Sequence, residues 1–145
     1  MDLNGVLLIS PALDFATLAP NENNILPYAL LLPSYAAAAR INGRGGELSD
    51  PLDAVDPEFM REVEEYSLGE YLTKLTKGDS LDPVERRALV VRIADYTGLD
   101  PDLVDRHDAR IPPWVFFKGL LRDQRLILGR MDSTMSGIDP DPDWP

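Results

Sequence analysis

The sequence predicts a mainly helical domain with one isolated β-strand at its N-terminal end. The dipeptide Asp-Pro precedes three segments whose apolar residues recur at helical spacing, at positions 56–57, 82–83 and 100–101. The pattern marks helix starts because an aspartate caps the first free N–H groups and proline fits the first helical position. A separate observation indicates the strand, since residues 4–10 form a short, continuous apolar run.

The predicted strand reads NGVLLIS and is followed by Pro11. A short, uninterrupted apolar run of this kind is typical of a strand that is buried on both faces in a parallel sheet. Such a strand needs neighbours on both edges, and the rest of the chain offers no second strand of that quality. We therefore expect it to pair with another molecule, to be disordered, or to belong to a sheet outside this chain.

The helices are predicted from their apolar spacing and from their first and last residues. The first covers residues 27–42, and Pro33 is expected to break or kink it and leave residues 34–41 as the cleaner helix. Gly78 and Gly98 end the second and third helices. The later helices are predicted at residues 57–77, 83–96, 101–107 and 113–125. Residues 14–26 are predicted to be a loop.

Composition excludes several classes of function. The 145 residues carry a net charge of −11 and include no cysteine and one histidine. Nucleic acids and anionic membranes are disfavoured as partners because both require clustered Lys and Arg. Disulfides, thiolate catalysis and sites built from several Cys or His ligands are excluded. No run approaches the roughly 18 apolar residues of a membrane span. We predict no cofactor and no metal.

The sequence contains no complete catalytic constellation. No serine lies in the Gly-x-Ser-x-Gly pattern of a hydrolase elbow. His107 lies at a predicted helix end, where a surface role is favoured. Asp139, Asp141 and Asp143 alternate like the start of a calcium loop, but they lack its central glycine and final glutamate. We therefore predict no catalytic residue in this chain.

The segment at residues 120–133 is a better candidate for ligand contact. Arg122, Arg125 and Arg130 are mixed with Asp123 and Asp132 in an otherwise apolar stretch. Charged groups in such a setting are either paired or face a ligand. Structural ion pairs are the favoured interpretation, and a ligand-facing role remains open.

The order of several segments resembles the serine carboxypeptidase family of α/β-hydrolases, on its bacterial side. Residues 4–15, NGVLLISPALDF, resemble the sheet strand that follows the nucleophile helix, and residues 26–39, LPYALLLPSYAAAA, resemble the next family segment. Residues 64–71 and 96–99 resemble the helical cap insertion. The end of the cap is resembled by residues 120–125, 129–133 and 136–139. The match covers most of the chain.

The resemblance implies an internal piece of such an enzyme. Residues 1–14 would be a detached sheet strand, residues 15–136 the helical cap or lid domain, and residues 137–145 an acidic, proline-rich tail. The family's nucleophilic serine lies upstream of this segment and its catalytic Asp and His lie downstream, so the chain alone is expected to be inactive. The parent enzyme would hydrolyse C-terminal peptide bonds through an acyl-enzyme, and the cap would shape substrate access.

The resemblance also implies partners, namely the remainder of the hydrolase and a peptide substrate. A homodimer through the exposed strand is a further option. Four polar or amphipathic residues in apolar settings are candidates for substrate contact: Tyr28, Tyr35, Arg122 and Asp132. The alternative to a cap is a free-standing, acidic helical module that recruits a basic partner.

Overall fold

The computed structural model describes residues 5–9, 11–18, 20–21, 23–45 and 56–142. Within these residues the chain is mainly helical, as predicted, and one pair of short antiparallel strands follows the helices. No helix in the described part is both long and apolar enough to cross a bilayer. The elements are α1 (Leu26–Ile41), α2 (Pro57–Tyr66), a π-helical turn (Ser67–Tyr71), α3 (Leu72–Lys77), α4 (Pro83–Thr97), α5 (Pro101–Arg106), α6 (Pro113–Gly119), β1 (Leu126–Leu128) and β2 (Ser136–Ile138).

Each of the three Asp-Pro pairs starts a helix, which confirms the prediction. The carboxylate of Asp82 accepts hydrogen bonds from the backbone N–H of Val84 at 2.8 Å and of Glu85 at 3.4 Å. Asp56 and Asp100 cap α2 and α5 in the same way. These caps satisfy N–H groups that have no partner within the helix.

The predicted break of the first helix at Pro33 is wrong, because α1 continues through it. Proline has no N–H, so it cannot donate to the carbonyl of Ala29, four residues earlier. The buried hydroxyl of Ser67 donates to that carbonyl instead. A side chain from the π-helical turn therefore supplies the hydrogen bond that the proline removes.

The predicted helix over residues 57–77 is helical throughout, but it is not a single α-helix. The π-helical turn Ser67–Tyr71 separates α2 from α3. This turn packs against α1, and both Ser67 and Tyr71 are buried. A π turn of this kind shifts the side chains after it around the helix axis, which lets residues on both sides of it reach one core.

One hydrophobic core lies between α1, α2, α4 and the segments that follow. Alanines at positions 29, 36 and 39 of α1 are fully buried, and their small side chains allow α2 and α4 to pack closely against α1. The Tyr35 ring stacks on the Phe116 ring with 4.2 Å between centroids, which joins α1 to α6. The C-terminal helix is thus fixed to the same core.

The prediction of a helix over residues 113–125 is wrong beyond Gly119. A short 3-10 turn at Arg122–Gln124 and a left-handed Arg125, with a φ of 58°, turn the chain into β1. β1 pairs with β2 in antiparallel register, with Ile127 opposite Gly137. The predicted tail therefore begins as part of a hairpin, and Pro145 and its two preceding residues lie outside the described part.

The predicted N-terminal strand is not formed within the described chain. Residues 5–9 have no β-ladder partner among the described residues, and Asn4 and Ser10 lie outside them. The four aliphatic side chains at positions 6–9 are 61–85% exposed. The run has the composition of a buried strand but is exposed in the described structure.

Candidate functional site

The four candidate residues for substrate contact lie in two different environments. Tyr28 and Tyr35 project from α1 into the core and are buried. Arg122 and Asp132 lie on the surface, on either side of β1. The described structure does not bring the four together at one pocket.

Two of the buried tyrosines, Tyr35 and Tyr71, act as structural hydrogen-bond donors. The Tyr71 hydroxyl donates to the carbonyl of Ala109 at 2.6 Å, and the Tyr35 hydroxyl donates to the carbonyl of Ile111 at 3.4 Å. Burial raises the pKa of both hydroxyls far above the ordinary value of tyrosine. Both groups therefore stay protonated at neutral pH and fix the turn between α5 and α6.

The Arg122 side chain makes one polar contact in the described structure, from a guanidinium nitrogen to the carbonyl of Pro142 at 3.3 Å. Its neighbour Asp123 pairs with Arg44 at 2.5 Å, and this guanidinium lowers the pKa of the Asp123 carboxyl. The ion-pair interpretation of this segment is thus confirmed for Asp123. The exposed Arg122 guanidinium donates to this one carbonyl among the described residues, and its other N–H groups can donate to a ligand.

Asp132 shapes a turn between the two strands. Its carboxylate accepts from the backbone N–H of Thr134 at 3.0 Å and from the Thr134 hydroxyl at 2.6 Å. These hydrogen bonds lower the pKa of Asp132. Asp132 is therefore ionised at neutral pH, and its carboxylate already accepts two hydrogen bonds from Thr134.

The last described residues are anchored to α6. The ammonium group of Lys118 lies 3.4 Å from the Asp139 carboxylate and donates to the carbonyl of Asp141 at 2.6 Å. The Lys118 and Asp139 side chains are only 13% and 6% exposed. The N–H of Asp139 also donates to the carbonyl of Arg125 at 3.1 Å. Part of the predicted acidic tail is therefore attached to α6 and to Arg125 in the described structure.

A groove of about 600 Å³ runs between α4 and the π-helical turn. Val84 and Val91 of α4 are exposed along it, although both are aliphatic. Arg87 lies between them on the same helix face and makes no ion pair among the described residues. The groove therefore combines apolar surface with an available positive charge.

A second, smaller cavity of about 30 Å³ lies at the turn after α5. Three cations line it, from α3, α4 and this turn: Lys74, Arg86 and Arg110. Two carboxylates, Asp79 and Asp108, also line it. The sequence prediction missed this cavity because its side chains come from four segments that are separated along the chain.

No metal-binding constellation is present in the described residues. No group of three or more His, Asp or Glu side chains there is placed to hold a metal ion. His107 directly follows α5, at a helix end as predicted. Comparison of the chain with protein-family models, with curated proteins and with solved structures found no match in any of the three.

Proposed function

We propose that this chain is the helical cap of a serine carboxypeptidase-like α/β-hydrolase, together with one strand of that enzyme's sheet. The observation that carries the proposal is the exposed aliphatic run at residues 6–9. Leu13, Phe15 and Leu18, which follow it, are also exposed. A continuous apolar surface of this kind marks a place where another protein element packs.

The chemistry of the run favours a sheet as its partner. Its aliphatic side chains alternate between two faces, so that both faces are apolar. A strand of this type is stable between two neighbouring strands, with helices covering both sides. The helices described here cover neither face. The sheet of an α/β-hydrolase would supply the neighbouring strands and the covering helices.

The helical part has properties that suit a cap. Helices α1 to α6 share one core, so they hold their shape without the run at residues 6–9. A rigid cap above an active site narrows access and excludes water from the reaction. Arg122 and Asp132 are exposed and stay the preferred candidates for substrate contact, whereas contact with Tyr28 or Tyr35 would require the core to open.

The test is to read the coding sequence on both sides of this chain and to purify its complete product. We expect a reading frame with a serine elbow upstream and the catalytic Asp and His downstream. Its product should release C-terminal residues from peptides and react with a fluorophosphonate, while residues 1–145 alone should do neither. A stop codon after Pro145 together with a true start at Met1 would contradict the proposal and favour the acidic interaction module.

A further inference from the structure

The small cavity at the turn after α5 has space for the oxygens of one ligand group. A cavity needs roughly 10–15 Å³ to hold one oxygen-sized probe, and this one has about 30 Å³. The cavity therefore exceeds the space that one such atom needs. A carboxylate is a compact anionic group that presents two acceptor oxygens on one carbon.

The backbone is strained where it forms the wall of this cavity. Asp108 and Ala109 are consecutive residues in the left-handed region, with φ values of 53° and 58°. Residues other than glycine adopt this conformation only where their surroundings hold them in it. The N–H of Ala109 donates to Val104 at 2.9 Å, and its carbonyl accepts from Tyr71. These bonds fix the position of the next residue, Arg110.

Arg110 has a buried donor that the described chain leaves without an acceptor. Its Nε makes no hydrogen bond within the described residues. The other two cations of the cavity have carboxylate partners, since Arg86 pairs with Asp108 at 2.6 Å and Lys74 pairs with Glu70 at 2.5 Å. A buried N–H of a permanently charged guanidinium is unfavourable without an acceptor.

We propose that this cavity binds the carboxylate group of a ligand and that Arg110 is its anchor. A guanidinium can donate two parallel N–H bonds to the two oxygens of a carboxylate. The carboxylate can come from a small organic acid or from the end of a peptide. Asp79 also lines the cavity and repels an anion, so it limits the affinity. This inference does not depend on the assignment of the chain as a cap.

The test follows the Nε–H resonance of Arg110 by NMR in the full chain, during titration with acetate at constant ionic strength. We expect a saturable shift of this resonance with acetate and none with chloride. In Arg110→Gln, followed through the backbone amide of Gly78, acetate should bind at least about tenfold more weakly. Arg87→Gln is the matched control, since it removes the same charge from the neighbouring groove, and Asp79→Asn should tighten binding.

Further titrations separate the two sources of the carboxylate. A short peptide with a free C-terminus that binds more tightly than both acetate and its amidated form indicates a chain end, and equal binding of peptide and acetate indicates a small acid. An unmoved Nε resonance, an equal response to chloride, or tighter binding of phosphate would overturn the proposal. The titration of the unmodified chain decides this even if Arg110→Gln fails to fold.

Discussion

The hydroxyl of Ser67 explains how α1 tolerates a proline in its interior. Pro33 leaves the Ala29 carbonyl without a donor from its own helix, and Ser67 donates to it from the π-helical turn. The proline is visible in the sequence, but the hydroxyl that replaces its missing N–H donor lies 38 residues beyond Ala29. No local pattern connects the two positions, which is why the sequence predicts a break there.

Removal of this hydroxyl should destabilise the fold. Ser67→Ala leaves a buried carbonyl unsatisfied, so we expect the free energy of unfolding to fall by about 1–3 kcal/mol in urea titrations. In a Pro33→Ala background the restored N–H donates to Ala29, and Ser67→Ala should cost less. Ser34→Ala, on the exposed side of α1, is the control and should change stability by less than about 0.5 kcal/mol. Equal losses in both backgrounds would refute this role of Ser67.

Four of the buried or half-buried tyrosines make stability fall at high pH. Burial raises the pKa of Tyr66 to about 12, and it raises the pKa of Tyr35, Tyr71 and Tyr96 further. The unfolded chain ionises near its ordinary pKa of about 10, so the stabilisation is complete below that pH and is lost as pH rises through the folded values. We expect tyrosinate absorbance and loss of helical circular dichroism to rise together above pH 10. Ionisation with a midpoint near 10 and intact helices would contradict this.

Arg122 is the surface candidate whose role is easiest to isolate. The only polar contact of its side chain in the described structure is the carbonyl of Pro142, so Arg122→Ala should change thermal stability little. In the proposed parent hydrolase we expect the variant to change the ranking of peptide substrates by kcat/KM. Arg87→Ala, an exposed arginine of α4, serves as the comparison. Unchanged ranking across a peptide panel would reject a substrate contact at Arg122.

The elements divide into those that local signals specify and those that depend on distant contacts. The starts of α2, α4 and α5 are predicted correctly, because an Asp-Pro pair caps and starts a helix within one turn. The end of α6 and the hairpin are missed. They depend on a left-handed Arg125, whose carbonyl accepts from Asp139 fourteen positions later along the printed sequence. The cavity at Arg110 is also missed, because its lining residues come from segments that are separated along the chain.

The attachment of the hairpin to α6 depends on Lys118. Lys118→Met removes the cation beside the largely buried Asp139 carboxylate, and loss of one partner of a buried pair costs roughly 3 kcal/mol. We expect faster hydrogen exchange in β1 and β2, with α1 and α4 unchanged. Lys77→Met breaks the exposed pair with Glu85 and should cost less than about 1 kcal/mol. If β1 and β2 keep their protection from hydrogen exchange in Lys118→Met, the contacts of Lys118 are not what attaches them to α6.

At the scale of the whole molecule, the chain combines a well-packed helical core with an unpacked apolar run. The helices bury their apolar residues against each other, whereas residues 6–9 expose theirs. The sequence predicts this contrast, since the run has the composition of an inner strand and no second strand of that quality is predicted after it. Amino-acid patterning predicts a strand at this run, and the sheet that would bury it belongs to the proposal made above.

Hydrogen exchange at the amides of residues 5–9 tests this account most directly. It should be measured in residues 1–145 as a dilute monomer and in the complete coding product. We predict fast exchange in the isolated chain and strong protection in the complete protein, where neighbouring strands would bond these amides. Strong protection in the isolated monomer, or fast exchange in both, would contradict the claim that this run belongs to a sheet outside the chain.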